Sequence, residues 1–105
     1  MAQLEIAPQD LAEKLKSASP PHLIDVRQPE EFALVALEQS QLIPLGELST
    51  RLDELPAGEL VVYCHHGMRS LQAAAMLSAS GRPAVSLRGG IDAWARLIDP
   101  SLARY

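Results

Sequence analysis

The 105-residue sequence holds one cysteine, Cys64, so no disulfide can form within the chain. A lone free thiol suits a reducing compartment, and a cytoplasmic protein is expected. Aromatic residues are scarce, with one Trp, two Tyr and one Phe. A core must therefore be built from Leu, Val, Ile and Ala. No apolar run approaches the roughly 20 residues that a membrane-spanning helix needs, so no membrane is expected as a partner. The start of the sequence lacks the basic segment, apolar stretch and small-residue cleavage site of a signal peptide. No internal repeat, linker or low-complexity stretch divides the chain. One domain over residues 1–105 is the expected organisation.

Basic residues are also in the minority. Nine Lys and Arg stand against thirteen Asp and Glu, a formal net charge of −4, which argues against nucleic-acid binding. The charge is unevenly spread. Residues 1–63 hold four Lys or Arg against eleven Asp or Glu, and from Cys64 onward five Arg stand against two Asp. Such a region attracts a small anion. The same counts also fit a scatter of solvated surface charge.

What is present alternates in a regular way. Strands are expected at Gln3 to Ile6, His22 to Val26, Gln41 to Ile43, Leu60 to Tyr63 and Ala84 to Leu87. Between them lie helical patterns. Pro8 starts one that carries Leu11 and Leu15, and Pro29 to Val35 forms another with Phe32 and Val35 inward. Gly46 to Leu55 is read as a short helix, and Arg69 to Ser80 as a longer one closed by Gly81. After Gly89-Gly90 a last helix carries Ile91, Trp94 and Leu97 as its apolar face. Alternation of this kind predicts α/β layers around a largely parallel sheet. Sites in such sheets lie beyond the carboxyl ends of the strands.

Cys64 lies at such an end. It opens the loop Cys64-His65-His66-Gly67-Met68-Arg69 between a buried strand and a helix start. A helix N-terminus offers unpaired N–H groups and a partial positive charge. Both favour a thiolate, and a thiolate is a nucleophile. The commonest fate of a free cysteine is burial as a small apolar group, and the position of Cys64 reverses that expectation. Gly67 allows the loop to curl so that successive N–H groups form an anion nest. Arg69 is a cation at a helix N-terminus, an unfavourable placement that a nearby anion would offset. His65 and His66 are expected to line the pocket mouth. Three histidines and one cysteine give no recognisable zinc spacing, so no metal is expected. Gly89-Gly90 lacks the spacing of a dinucleotide fingerprint, and no cofactor is expected. Asp25 and Arg27, at the end of a buried strand, are read as a scaffold pair, Ser70 as a helix-start hydroxyl, and Trp94 as core.

An ordered set of segments then matches a family. Leu23-Ile24-Asp25-Val26-Arg27 with Pro29-Glu30-Glu31-Phe32, Ile43-Pro44-Leu45, Val61 to Ser70, and Leu87-Arg88-Gly89-Gly90-Ile91-Asp92-Ala93-Trp94 resemble a single-domain rhodanese. The resemblance implies a five-stranded parallel sheet flanked by helices on both faces, and sulfurtransferase activity. It implies that Cys64 carries sulfur as a persulfide and that His65, His66, Gly67, Met68 and Arg69 bind the substrate. The implied partners are a small anionic donor such as thiosulfate, or a persulfide, and a thiol, cyanide or protein acceptor. The stretch from Ile98 to Tyr105 resembles the tails of rhodanese domains fused to adenylating sulfur-carrier enzymes, which implies a persulfide donor in cofactor or RNA thiolation.

The sequence departs from the family at Val35 to Ser40, where many members carry Gly-His-Ile-x-Gly-Ala. Both glycines are replaced, and a turn of different shape is expected. Two other readings stand beside the first. Phosphatases and arsenate reductases on this scaffold space cysteine and arginine as Cys-x5-Arg, whereas Cys64 and Arg69 give Cys-x4-Arg, a smaller cradle. Non-catalytic binding modules of this fold usually lack the cysteine.

Overall fold

The computed structural model describes residues 4–105. Five parallel strands form one sheet in the order β1-β5-β4-β2-β3: β1 (Glu5–Ile6), β2 (His22–Asp25), β3 (Gln41–Leu42), β4 (Leu60–Tyr63) and β5 (Ala84–Leu87). Three helices lie between strands, α1 (Pro8–Leu15), α2 (Pro29–Leu34) and α3 (Met68–Ala79), and α4 (Gly90–Leu97) follows β5. Gln3, placed in the first strand by the sequence, lies outside the described residues.

The central strand shows how the sequence divides the core. Strand side chains alternate between faces. In β4, Leu60 and Val62, followed by Cys64, enter one apolar cluster, while Val61 and Tyr63 enter the other. The first cluster is closed by Ala73, Ala74 and Leu77 of α3, and the second by Leu11 of α1 and by Ile91 and Trp94 of α4. Covered on both faces, β4 is a continuous apolar run with every residue buried. Burying a side chain of this size contributes about 1.5–3 kcal/mol. Cys64 thus faces α3, and α3 begins where the loop ends.

Three local expectations are corrected. The segment read as one helix from Gly46 to Leu55 forms two 3-10 turns, Leu45–Thr50 and Leu52–Glu54, broken at Arg51. The leucine pairs 45/48 and 52/55 are three apart, which suits the three-residue turn of that helix. No residue of α2 is buried, and Phe32 and Val35 are half-buried. Leu97 is 53% exposed, while Ile98 packs against the second cluster. At 3.6 residues per turn, a position six beyond Ile91 has rotated off its face and a position seven beyond has returned.

The stretch Val35 to Ser40 contains one left-handed position. Val35 is extended, with φ −162°. Gln39 takes φ +63°, the single left-handed non-glycine residue among those described. Gln39 stands where the family segment has its second glycine, so a left-handed angle falls here on a residue with a Cβ. The buried Tyr63 hydroxyl fixes this turn, accepting from the Leu37 N–H at 3.1 Å and lying 2.9 Å from Ser40 Oγ.

Candidate active site

The thiol of Cys64 is capped by the chain that follows it. Cys64 is 1% exposed. Its Sγ receives the N–H of Gly67 at 3.1 Å and the N–H of Ser70 at 3.4 Å. Ser70 lies in the first turn of α3, where N–H groups have no partner inside the helix. No side chain caps this helix at Gly67, and the sulfur takes that place. The N–H groups of His65, His66, Met68 and Arg69 have no acceptor among the described residues. The loop therefore holds donors in reserve beside the sulfur.

Two glycines make the curl possible. Gly67 has φ +106°, a conformation that L side chains rarely adopt. Gly90 lets the start of α4 press against the loop; a Cβ there would meet the Cys64 carbonyl oxygen at 2.5 Å. The N–H groups of Ile91 and Asp92 donate to the carbonyls of Cys64 and His65, at 2.9 and 3.1 Å. These bonds direct the carbonyls at the start of α4.

Beneath the sulfur lies a pair of buried hydroxyls. Ser70 Oγ is 3.4 Å from Cys64 Sγ and 2.7 Å from Ser86 Oγ, and both serines are fully buried. Among the described residues Ser86 Oγ has no other partner, so a proton that it donates goes to Ser70 Oγ. Ser70 is then left to donate to the sulfur or to the Gly67 carbonyl, which lies at 3.3 Å and already accepts from Leu71. The sequence reading had Ser70 as a helix-start hydroxyl and did not single out Ser86. Its one signal was a polar residue within the apolar β5.

The charged residues sit at the rim. Arg69 donates to both carboxylate oxygens of Glu31, at 2.7 and 3.0 Å. These bonds, aided by the Tyr105 hydroxyl and the Gln28 N–H, hold the Glu31 carboxyl down to about 2. Asp25 and Arg27 form the expected scaffold pair, fully buried, with Arg27 Nη2 2.6 Å from Asp25 Oδ2. Arg27 also donates to the Val35 carbonyl at 2.6 Å and to the Tyr105 hydroxyl at 2.7 Å.

The two loop histidine rings pack at a tilt of 32°, with centroids 3.8 Å apart. Burial, then the neighbouring His66, pushes His65 below the usual histidine range. His66 is exposed, and Met68 is 77% exposed. Donor atoms of His65, His66 and Asp92 lie within 4.8 Å of one another, but the Asp92 carboxylate is already held by Arg96 and Arg104. A surface cleft of about 560 Å³ beside His22 and Trp94 involves none of the Cys64–Arg69 loop.

With this geometry in place, comparison with known proteins becomes specific. The family model of the rhodanese-like domain matches residues 7–97. The chain belongs to this family. Among its rhodanese-like relatives, a sulfurtransferase of Allochromatium vinosum is 37% identical over 94 residues, covering 88% of each protein. The probable adenylyltransferase/sulfurtransferase MoeZ of Mycobacterium tuberculosis is 38% identical over 104 residues, covering 95% of this chain and 26% of that protein. The chain thus spans about a quarter of MoeZ. A crystal structure of a rhodanese-like domain protein from Staphylococcus aureus superposes with a TM-score of 0.83 at 29% identity, covering 96% of this chain and 97% of that one. Among the described residues, no helix is long and apolar enough to cross a membrane.

Proposed function

We propose that this rhodanese-like chain is a sulfurtransferase in which Cys64 carries sulfane sulfur from thiosulfate, or from a persulfide donor, to a thiophilic acceptor. The observation that carries this reading is the capping of Cys64 Sγ by the N–H groups of Gly67 and Ser70, beside loop donors that have no other acceptor. The Cys64 thiolate attacks the outer sulfur of thiosulfate. The bond between the two sulfurs of thiosulfate breaks, and sulfite leaves with its electron pair. The product is a Cys64 persulfide anion, and N–H dipoles already oriented toward sulfur stabilise it without reorganisation. Cyanide or a thiolate then attacks the outer sulfur and regenerates the Cys64 thiolate.

The loop residues divide this work. Gly67 supplies the backbone turn and a donor. His65, His66 and Met68 contribute donors and line the approach. Arg69 holds the loop against α2 through Glu31. Because its planar fork is taken by a carboxylate of the same chain, Arg69 is not free to clamp a phosphoryl group. That supports sulfur transfer over phosphate hydrolysis. A protein persulfide donor and a protein acceptor in the cytoplasm fit the same reading.

The test is steady-state formation of thiocyanate from thiosulfate and cyanide. Parallel double-reciprocal lines are expected, and no activity in Cys64→Ser. Intersecting lines, or turnover by Cys64→Ser, would contradict a Cys64 persulfide.

A further inference from the structure

Tyr105 joins three separate parts of the chain at one edge of the cysteine loop. Its hydroxyl accepts from Arg27 Nη1 at 2.7 Å and donates to Glu31 Oε2 at 2.7 Å. Its ring stacks on the His65 imidazole, with centroids 3.8 Å apart and planes 6° from parallel. The Arg27 guanidinium carbon lies 5.7 Å from the ring centroid. Glu31 is in turn the partner of Arg69.

The rest of the loop is packed closely by the fold. The start of α4 bonds to the carbonyls of Cys64 and His65. The backbone at Gly89 lies against Gly67, and Ser70 with Ser86 fills the space beneath. Tyr105 bridges this loop, at His65, to the turn from β2 into α2, at Arg27 and Glu31. Cys64 is 1% exposed, one residue before the imidazole on which the Tyr105 ring stacks.

The closure is lightly held. Residues 103–105 make no backbone–backbone hydrogen bond among the described residues. Side chains tie the segment down: Arg104 on Asp92 at 3.0 Å, Tyr105 on Arg27 and Glu31, and the His65 imidazole on the Tyr105 backbone. Tyr105 is 42% exposed, so its ring can turn into solvent without disrupting the core. Arg27 keeps its Asp25 partner when that happens.

We propose that Tyr105 is a specificity-determining residue that sets the size of the groups reaching Cys64. The proposal rests on the sulfurtransferase reading. A small donor or acceptor passes the closed ring, and a bulky thiol reaches the sulfur only after Tyr105 swings away. The residue selects by access and takes no part in bond making.

The test compares alkylation of the single cysteine by iodoacetamide and by fluorescein maleimide. Neither reaction needs sulfur transfer, so failure here is distinct from failure of the sulfurtransferase reading. In Tyr105→Ala the maleimide rate should rise at least about tenfold while the iodoacetamide rate stays within about threefold of the wild type. Tyr105→Phe keeps the ring, loses both hydroxyl bonds and should give a smaller rise in the maleimide rate alone. It also serves if Tyr105→Ala folds poorly. An unchanged ratio of the two rates in both variants would overturn the proposal. So would an equal rise in both rates, because that reports a general loosening of the loop.

Discussion

Arg69 grips Glu31 with both terminal nitrogens, and the pair ties the sulfur loop to α2 across 38 positions of sequence. The cation that the sequence placed beside an incoming anion is therefore already satisfied by an internal carboxylate. Arg69→Ala should lower thiosulfate turnover by at least about tenfold, equivalent to ~1.4 kcal/mol in the barrier. Arg69→Lys should restore part of it, since lysine lacks the planar fork. Because the two residues act as a unit, Glu31→Gln should lower turnover in the same direction, and the double variant should be no worse than Arg69→Ala alone. Fully additive losses in the thiocyanate assay would show that Arg69 acts directly on the anion.

The same pair predicts a pH dependence of stability. The folded-state pKa of Glu31 is depressed to about 2 from an ordinary 4.5, so the unfolded chain binds the proton first as pH falls. The stabilisation is complete above 4.5 and is lost progressively as pH drops toward 2. Urea unfolding of wild type and Glu31→Gln should show a gap at pH 6 that narrows steadily toward pH 2.5. A gap independent of pH would mean that the carboxylate charge is not what stabilises the loop.

Gln39 pays for a backbone angle that glycine adopts freely. A left-handed residue with a Cβ is strained by about 1–2 kcal/mol, and the greater unfolded-state freedom of glycine returns part of the gain. Gln39→Gly should therefore raise stability by about 0.5–1 kcal/mol, read as a shift in the urea midpoint at constant slope. Any loss of stability would mean that the Gln39 side chain contributes more than the strain costs.

What the sequence disclosed and what it concealed follow from the range of the interactions. The run Leu60 to Tyr63, the lone Cys64 and the helix after it are consecutive, so periodicity and position were enough to place the thiol at a strand end. The parallel sheet followed from alternation of strands and helices. The partners of the site did not, because Arg27 meets Tyr105 over 78 positions and Ser70 meets Ser86 over 16. Contacts of that range leave no local pattern. Leu97 and the 3-10 turns were misread for the opposite reason: a local spacing of apolar residues fitted more than one helical geometry. At Val35 to Ser40 the left-handed angle falls on Gln39, in a turn held by Tyr63, a partner that lies far off in sequence.

The buried hydroxyl pair gives a sharper thermodynamic test. Ser70→Ala leaves the Ser86 hydroxyl buried without its partner, a loss of about 1–3 kcal/mol. Ser86→Ala should cost less, since Ser70 retains the sulfur and the Gly67 carbonyl as acceptors. The double variant should recover part of the Ser70→Ala loss, with a coupling of about 0.5–1.5 kcal/mol. Strict additivity in chemical denaturation would show that the two hydroxyls are not coupled.

The central claim is that Cys64 carries sulfur as a persulfide, and the most direct measurement is the intact mass of the protein after brief exposure to thiosulfate. The wild type should gain the mass of one sulfur atom, and cyanide should remove it as thiocyanate. Cys64→Ser should gain nothing under the same conditions. Sulfur gained equally by Cys64→Ser, or an unchanged wild-type mass with thiosulfate and with a small persulfide donor alike, would contradict the account.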